Sequence, residues 1–131
     1  MTYLLDTHYI LWAIAETKMI PARVKTVLTD PKNTILVSAI SFWEIALKFR
    51  LGKLKLDGVR PEGIPLLCEQ MGFVCIPLTA AVSSGYHQLT EDYHKDPFDR
   101  MLIWQAIVNN YILVSSDKEV KKYSHAGLKI L

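Results

Sequence analysis

Short apolar segments alternate with helical segments along the whole of this 131-residue chain. The apolar segments carry almost no polar residues, unlike a strand that has one face in water. Strands of this kind are typical of a parallel sheet that helices cover on both faces. We therefore predict a three-layer α/β/α fold. The predicted strands are Tyr3-Leu4-Leu5, Thr34-Ile35-Leu36-Val37, Phe73-Val74-Cys75-Ile76, Ile112-Leu113-Val114 and Leu128-Lys129-Ile130.

The segments between the strands predict helices with recognisable ends. Thr7 is a candidate N-cap for the first helix, and Gly52 ends the helix that begins at Ile40. Asp96 is a favourable N-cap, followed by Pro97 at the first helical position. The predicted helices cover residues 8–16, 22–28, 40–51, 61–71, 79–86 and 97–109, and a short basic helix follows Asp117.

The composition is that of a folded globular chain. Half of the residues are apolar and 21% are charged, which favours a globular over a disordered chain. We predict a single domain over residues 1–131. The N-terminus lacks the basic region of a signal peptide, and no apolar run is continuous enough to span a membrane. The two cysteines, Cys68 and Cys75, match no zinc or redox spacing and favour a reducing compartment, the cytoplasm.

The basic residues are distributed unevenly. The net charge of +2 is too small to identify a nucleic-acid partner. Residues 48–60, however, contain five basic residues against one acid, Asp57. Such a stretch could bind phosphate groups or only solvate the surface. Its basic residues are Lys48, Arg50, Lys53, Lys55 and Arg60.

The helix predicted over residues 40–51 is apolar around most of its circumference. Ser41, Glu44 and Lys48 fall on one polar stripe. The rest of the surface is formed by Phe42, Trp43, Ile45, Leu47, Phe49 and Leu51. One core face does not need so much apolar width, so the helix is either packed on two sides or exposed to another chain.

Four carboxylates are placed to meet at one edge of the predicted sheet. Asp6 directly follows the first strand, and Asp117 follows the fourth. Glu44 lies near the start of the helix after the second strand, and Asp99 lies in the first turn of the Asp96-capped helix. Ligands of open parallel sheets bind outside the carboxyl ends of the strands. Acids crowded there repel each other unless a hard cation such as Mg²⁺ or Mn²⁺ binds between them.

Each acid also has an ordinary structural explanation. Asp6 could form a strand-end turn or cap, and Asp117 could cap the short helix after it. Glu44 could pair with Lys48 one helical turn away. Asp99 could belong to a capping box with Asp96. The joint arrangement is therefore more informative than any single residue.

Other common chemistries fit this sequence less well. There is no nucleophile-elbow motif of a serine hydrolase, no P-loop and no dinucleotide-binding glycine motif after the first strand. His87 and His94 match no helical zinc motif and are expected at the surface or behind the site. His8, two residues after Asp6, could help to bind phosphate or only cap the edge of the site.

At these residues the sequence resembles the PIN-domain ribonucleases, specifically the VapC-like toxins of toxin–antitoxin pairs. The segments that carry the resemblance follow the family's order across the chain and are strong evidence only together. They are Tyr3-Leu4-Leu5-Asp6-Thr7-His8 with Leu11-Trp12, residues 37–48 with Gly52-Lys53-Leu54, residues 94–102 with Gln105-Ala106, and Leu113-Val114-Ser115-Ser116-Asp117.

The resemblance implies a five-stranded parallel sheet of order 3-2-1-4-5 and a metal-dependent endoribonuclease. The family's acidic quartet falls on Asp6, Glu44, Asp99 and Asp117, which would hold Mg²⁺ or Mn²⁺. Ser115 would help to position water, and Asp96 would support the site from behind. The family also implies a homodimer and an antitoxin protein that blocks the site, which suits the apolar helix 40–51. Trp104 stands where a small residue is expected.

Three functions from different classes follow. The first is hydrolysis of RNA, with Lys48, Arg50 and Lys53 as candidates for gripping the RNA backbone. The second is a catalytically inactive PIN-like module that binds RNA or protein. The third is an acid-cluster phosphotransfer domain, which the sequence disfavours because the third strand ends in Cys75-Ile76-Pro77 without a phosphorylatable aspartate.

Overall fold

A computed structural model describes residues 1–131 and contains one five-stranded parallel sheet. The strand order is β3-β2-β1-β4-β5, and every neighbouring pair is parallel. The predicted fold class and strand order are therefore confirmed. The strands are β1 (Thr2–Leu5), β2 (Thr34–Ser38), β3 (Val74–Ile76), β4 (Ile112–Val114) and β5 (Lys129–Ile130).

Six α-helices and four 3₁₀ segments connect the strands. The α-helices are α1 (Thr7–Ala15), α2 (Ala22–Thr29), α3 (Ala39–Arg50), α4 (Ile64–Gln70), α5 (Ala80–Ser84) and α6 (Pro97–Asn109). The 3₁₀ segments are Thr17–Met19, Pro61–Gly63, Tyr86–Gln88 and Lys118–Ala126. None of the helices combines the length and apolar character needed to cross a membrane.

Two apolar cores lie on opposite faces of the sheet. Tyr3 and Leu5 of β1 face the core formed with α1, α2 and α4, whereas Leu4 faces the core formed with α6 and the last 3₁₀ segment. This alternation along a strand buried on both faces explains why β1 is apolar at successive positions. Trp104 is accommodated because the residue beside its ring is Gly85, where an added Cβ would lie only 3.3 Å from the indole.

Helix α3 is packed on two sides and exposed on a third. Ile40 belongs to the core on the α6 face and Ile45 to the core on the α1 face. The side chains of Trp43, Leu47 and Leu51 are 61%, 37% and 56% exposed. Packing on two sides therefore accounts for part of its wide apolar surface, and the rest is exposed.

The register of the central strands brings two distant segments together at the carboxyl edge of the sheet. Leu5 of β1 is aligned with Val114 of β4, and the Asp6 N–H donates to the Val114 carbonyl at 3.0 Å. Asp6 and Ser115, the next residue of each segment, are consequently neighbours. This edge is where the sequence predicted that the carboxylates meet.

Candidate active site

The carboxylate of Asp6 is buried and fully engaged in hydrogen bonds. Its Oδ1 accepts from the Tyr9 N–H at 3.0 Å, and its Oδ2 accepts from the Ser115 hydroxyl at 2.9 Å and the Ser116 N–H at 3.0 Å. Asp6, and not Thr7 as predicted, is the N-cap of α1. Burial raises the pKa of Asp6 although these hydrogen bonds favour its ionised form.

Glu44 is buried behind the edge of the sheet and has two partners. The Thr7 hydroxyl donates to Glu44 Oε1 at 2.6 Å, and the Lys48 ammonium donates to Oε2. Ser41 lies 3.1 Å from the Thr7 hydroxyl and completes this cluster. The ion pair between Glu44 and Lys48, considered above as an ordinary explanation for the acid, is therefore present.

Asp96 and Asp99 divide two tasks at the start of α6. Asp96 accepts hydrogen bonds from the N–H groups of Phe98 and Asp99, at 2.8 and 3.2 Å, and so caps the helix. The Asp99 carboxylate accepts no hydrogen bond from the chain, so no reciprocal capping box forms. Burial raises the pKa of Asp99 to about 6, and the neighbouring charges of Asp96 and Glu44 add to the effect.

Asp117 forms a short hydrogen bond with a histidine that the sequence did not assign to the site. His94 Nε2 lies 2.5 Å from Asp117 Oδ2, and Asp117 Oδ1 caps the following 3₁₀ segment through the Glu119 N–H. Burial alone would raise the pKa of Asp117, but the hydrogen bonds from His94 and the Glu119 N–H lower it below its usual value.

The orientation of His94 is set by Tyr123, which is fully buried. The Tyr123 hydroxyl accepts from the His94 N–H at 2.8 Å and lies 3.2 Å from His94 Nδ1. If the hydroxyl donates to Nδ1, the proton of a neutral imidazole is on Nε2 and points at Asp117. No motif or spacing in the sequence links these three residues, which explains why this contact was missed.

A cavity of about 230 Å³ lies at the carboxyl edge of the sheet and brings together three of the four predicted acids. Asp6, Asp99 and Asp117 line this cavity, which we call the acid cavity, together with His8, His94 and Ser115. Its floor is apolar and consists of Leu102, Ile103, Leu113 and Val120. Glu44 and Asp96 are not part of its lining.

Arg100 holds the loop before α6 and forms no ion pair. Its guanidinium donates to the carbonyl oxygens of Leu89 and Glu91 and to the Tyr86 hydroxyl. Arg100 pairs with no acid, because the backbone carbonyl groups of this loop accept from its guanidinium. Arg100 thus fixes the segment that carries His94.

The predicted RNA-binding lysines and arginine lie outside the acid cavity. Lys48 donates to Glu44, and the charges of Asp96 and Asp99 add to the effect of this hydrogen bond in raising the pKa of the Lys48 ammonium. Arg50 and Lys53 are exposed beyond it, at the end of α3. Neither residue takes part in an ion pair.

The donor chemistry of the acid cavity fits a hard divalent cation. No three aspartate, glutamate, histidine or cysteine side chains are grouped so that they could hold one metal ion together. Mg²⁺, however, is commonly held by one or two carboxylates and keeps several waters. The carboxylate of Asp99 has no hydrogen-bond donor from the chain. Burial first, and then the charges of Asp96 and Glu44, raise its pKa, and a bound cation would favour the ionised form.

The sequence also matches a known protein family. A model of the PIN domain family matches residues 3–126. The chain belongs to the PIN-domain family. It is also 26% identical over 124 residues to Ribonuclease VapC22 of Mycobacterium tuberculosis, a match that covers 95% of this chain and 93% of that protein. The resemblance of the four sequence segments to this family is thereby confirmed.

Solved structures with the same fold include VapBC structures. The fold is similar to that of a chain of VapBC-1 from nontypeable Haemophilus influenzae, with a TM-score of 0.69, 19% identity and coverage of 100% and 97% of the two chains. A DNA-bound VapBC from Salmonella typhimurium gives a TM-score of 0.70 at 14% identity, with the same coverage. At these identities the similarity concerns the fold.

Proposed function

We propose that this PIN-domain protein is a metal-dependent endoribonuclease and the toxin of a toxin–antitoxin pair. The observation that carries the proposal is the acid cavity, where Asp6, Asp99 and Asp117 converge from segments far apart in sequence. Its position outside the carboxyl ends of parallel strands is where such folds bind ligands. The name of Ribonuclease VapC22 supports RNA as the substrate, and we place the activity in the cytoplasm.

Mg²⁺ or Mn²⁺ would bind among Asp6, Asp99 and Asp117, directly to one or two of these carboxylates and through water to the rest, with Glu44 as the fourth acid of the site. A bound divalent ion supplies charge stabilisation at a phosphodiester and lowers the pKa of an attached water. Asp6 is preorganised for this role, because Tyr9, Ser115 and Ser116 hold both of its oxygens in place. The fixed orientation reduces the reorganisation needed when RNA binds.

Glu44 and Ser115 act by positioning other groups. Glu44 holds the Lys48 ammonium beside Asp96 and Asp99, where it can bind a phosphate oxygen. The Ser115 hydroxyl donates to Asp6 and also accepts from the Asp117 N–H at 3.1 Å, so it connects two acids. His8 lines the same cavity and is free to contact the substrate. Arg50 and Lys53 would grip the RNA backbone farther along α3.

Asp99→Asn tests this assignment most directly. The substitution keeps the shape of the side chain and removes the charge, so we expect cleavage of RNA to be lost while the thermal unfolding transition remains. Cleavage is measured on a fluorescently labelled RNA with Mg²⁺ and with EDTA. Near wild-type cleavage by Asp99→Asn would overturn the assignment of the acid.

Two protein partners belong to the proposal. The exposed stripe Trp43, Leu47 and Leu51 on α3 supports a homodimer, because large apolar patches on soluble chains commonly mark interfaces. The structures named above are VapBC complexes, which supports a cognate antitoxin for this chain. A monomeric mass at micromolar concentration, measured by light scattering, would count against the homodimer.

The alternative is a catalytically inactive PIN-like module that binds RNA or protein. The observation in its favour is that no three potential metal-binding side chains are grouped closely enough to share an ion. Mg²⁺ titration separates the two functions, because an ion that binds the folded state raises the melting temperature. A melting temperature that does not change up to millimolar Mg²⁺ would favour the inactive module.

A further inference from the structure

A second cavity, of about 310 Å³, adjoins the acid cavity. The two cavities share Ser115, Ser116 and Asp117 in their walls, so they meet at the segment that follows β4. We call this second cavity the basic groove, because Arg23, Lys118 and Lys121 line it. Asp117 at the junction is its only acidic side chain.

The 3₁₀ segment Lys118–Ala126 directs two lysines into the basic groove. In a 3₁₀ helix, residues three apart lie on the same face. Lys118 and Lys121 form the face that lines the groove. The second face carries the ion pair between Lys122 and Glu119, at 2.5 Å. The third face contains the buried residues Val120 and Tyr123. The lysines in the groove are thus those that lack an acidic partner.

Arg23 supplies a third cation from the first turn of α2. Arg23, Lys118 and Lys121 are exposed, and none of them forms an ion pair within the chain. Three unpaired positive charges around one groove favour an anionic ligand. The single acid at the junction is already bonded to His94 and to the Glu119 N–H.

An aromatic wall accompanies these charges. Trp12 lines the basic groove and is only partly buried, and Tyr9 holds it by an edge contact with ring centroids 5.2 Å apart. The centroid of the His8 ring is 5.8 Å from that of the indole. Since His8 also lines the acid cavity, aromatic rings extend from the acids into the groove. A nucleic-acid base would find a stacking surface there.

We propose that the basic groove binds the nucleotides of a single-stranded RNA that flank the phosphodiester in the acid cavity. Trp12 stacks on a base, and Arg23, Lys118 and Lys121 contact the phosphates. This inference rests on the proposed nuclease function. The main RNA contacts are then in this groove. Helix α3 contributes fewer of them, because Glu44 already partly neutralises the charge of Lys48.

The combination of features favours single-stranded RNA over an acidic peptide. Unpaired cations alone would suit either ligand. Trp12, however, lines the same groove as the two lysines and is only partly buried, and stacking on an aromatic ring is characteristic of unpaired bases. A double helix would not expose the faces of its bases to this wall.

Fluorescence anisotropy tests the groove without any cleavage step. The full-length chain with Asp99→Asn is titrated into a fluorescein-labelled, 12-nucleotide single-stranded RNA of mixed sequence in EDTA. Adding Arg23→Ala, Lys118→Ala and Lys121→Ala together should weaken binding about 10- to 100-fold and reduce the slope of log affinity against log salt by about 2. Lys122→Ala is the matched control and should change affinity less than about twofold.

A second set of variants tests stacking. Trp12→Leu keeps an apolar side chain against the core but should weaken binding about tenfold, whereas Trp12→Phe keeps a stacking ring and should stay within about threefold. An oligonucleotide of the same length with abasic sites should bind Asp99→Asn weakly. Its affinity should be the same for Trp12→Leu and Trp12→Phe. Each variant is first checked for an unchanged unfolding transition.

The outcomes separate this inference from the proposed function. If the triple variant binds RNA within twofold of its parent, or if the parent does not bind this RNA, the groove proposal is overturned. If oligoglutamate binds to the groove and the RNA does not, the ligand is an acidic peptide and the proposal also fails. If RNA binds through the groove but the wild-type chain never cleaves it with Mg²⁺ or Mn²⁺, the nuclease function fails and the groove stands.

Discussion

His94 Nε2 and Asp117 Oδ2 lie 2.5 Å apart, which joins the loop before α6 to the segment after β4. Tyr123, in the following 3₁₀ segment, fixes the imidazole from its other side. Groups that hold a metal-binding side chain in place commonly change metal affinity or activity 10- to 100-fold when they are removed. The contact therefore makes His94 a positioning residue for the proposed metal site.

His94→Ala should raise the Mg²⁺ concentration needed for half-maximal cleavage by about tenfold. The variant loses the donor that holds Asp117 and lowers its pKa. His94→Gln, whose amide can still donate, should recover part of the effect. His87→Ala is the control, because His87 is exposed and its ring contacts only the Ser84 carbonyl. Equal Mg²⁺ dependence in His94→Ala and His87→Ala would show that the contact has no functional role.

Ser115 and Ser116 form a matched pair for testing the support of Asp6. The Ser115 hydroxyl donates to Asp6 Oδ2, whereas Ser116 reaches the same oxygen only through its backbone N–H. Ser115→Ala should therefore lower the rate of cleavage at saturating Mg²⁺ by about tenfold, and Ser116→Ala should stay within about twofold. Initial rates measured with the same labelled RNA provide the comparison. Similar losses in both variants would mean that the Ser115 hydroxyl is not what positions Asp6.

The stability of the metal-free protein should depend on the protonation of Asp99. Its pKa is about 6 in the folded chain against a reference of 3.8, so the folded state favours the protonated form. Ionising this carboxylate in the folded chain costs free energy. The free energy of unfolding therefore falls as the pH rises from about 4 through 6. Since Asp99 is partly exposed, we expect a loss of about 1–2 kcal/mol from this group.

Urea unfolding of the wild type and Asp99→Asn from pH 4 to 8 in EDTA measures this contribution. In Asp99→Asn, the free energy of unfolding should lack that part of the decline. In the wild type without EDTA, saturating Mg²⁺ should make the decline smaller. Asp92→Asn, an exposed acid in the preceding loop, should behave like the wild type. Parallel pH profiles for the wild type and Asp99→Asn would contradict the raised pKa.

Arg100→Met should destabilise the folded chain by about 2–3 kcal/mol, because several carbonyl groups lose a charged donor. The guanidinium donates to the backbone carbonyl oxygens of Leu89 and Glu91 and to the Tyr86 hydroxyl. Hydrogen exchange should increase in the loop of residues 89–95 that these contacts hold. Arg60→Met provides the control, since Arg60 is exposed and pairs only with Glu62. A stability loss no larger than that of Arg60→Met would contradict this role.

Local patterns in the sequence were sufficient to predict the fold. Apolar runs such as Leu4-Leu5 identified buried parallel strands, and the residues that follow them identified the edge where the acids meet. Asp96 was correctly predicted to cap α6, because capping depends only on neighbouring backbone N–H groups. The start of α1 was misassigned by one residue, since Asp6 and Thr7 are both good caps and only the buried partner of Thr7 distinguishes them.

The tertiary structure decided which side chains meet across the site. The sequence determined the strands, their carboxyl edge and the acids at that edge, because periodicity and capping are local properties. It did not determine that His94 faces Asp117, that Arg100 binds a loop and no acid, or that Glu44 is not part of the lining of the acid cavity. Those contacts join residues far apart in the chain, and their geometry depends on loop paths and side-chain rotamers that no local pattern encodes. That Trp12 lines the same groove as Lys118 and Lys121 is decided in the same way.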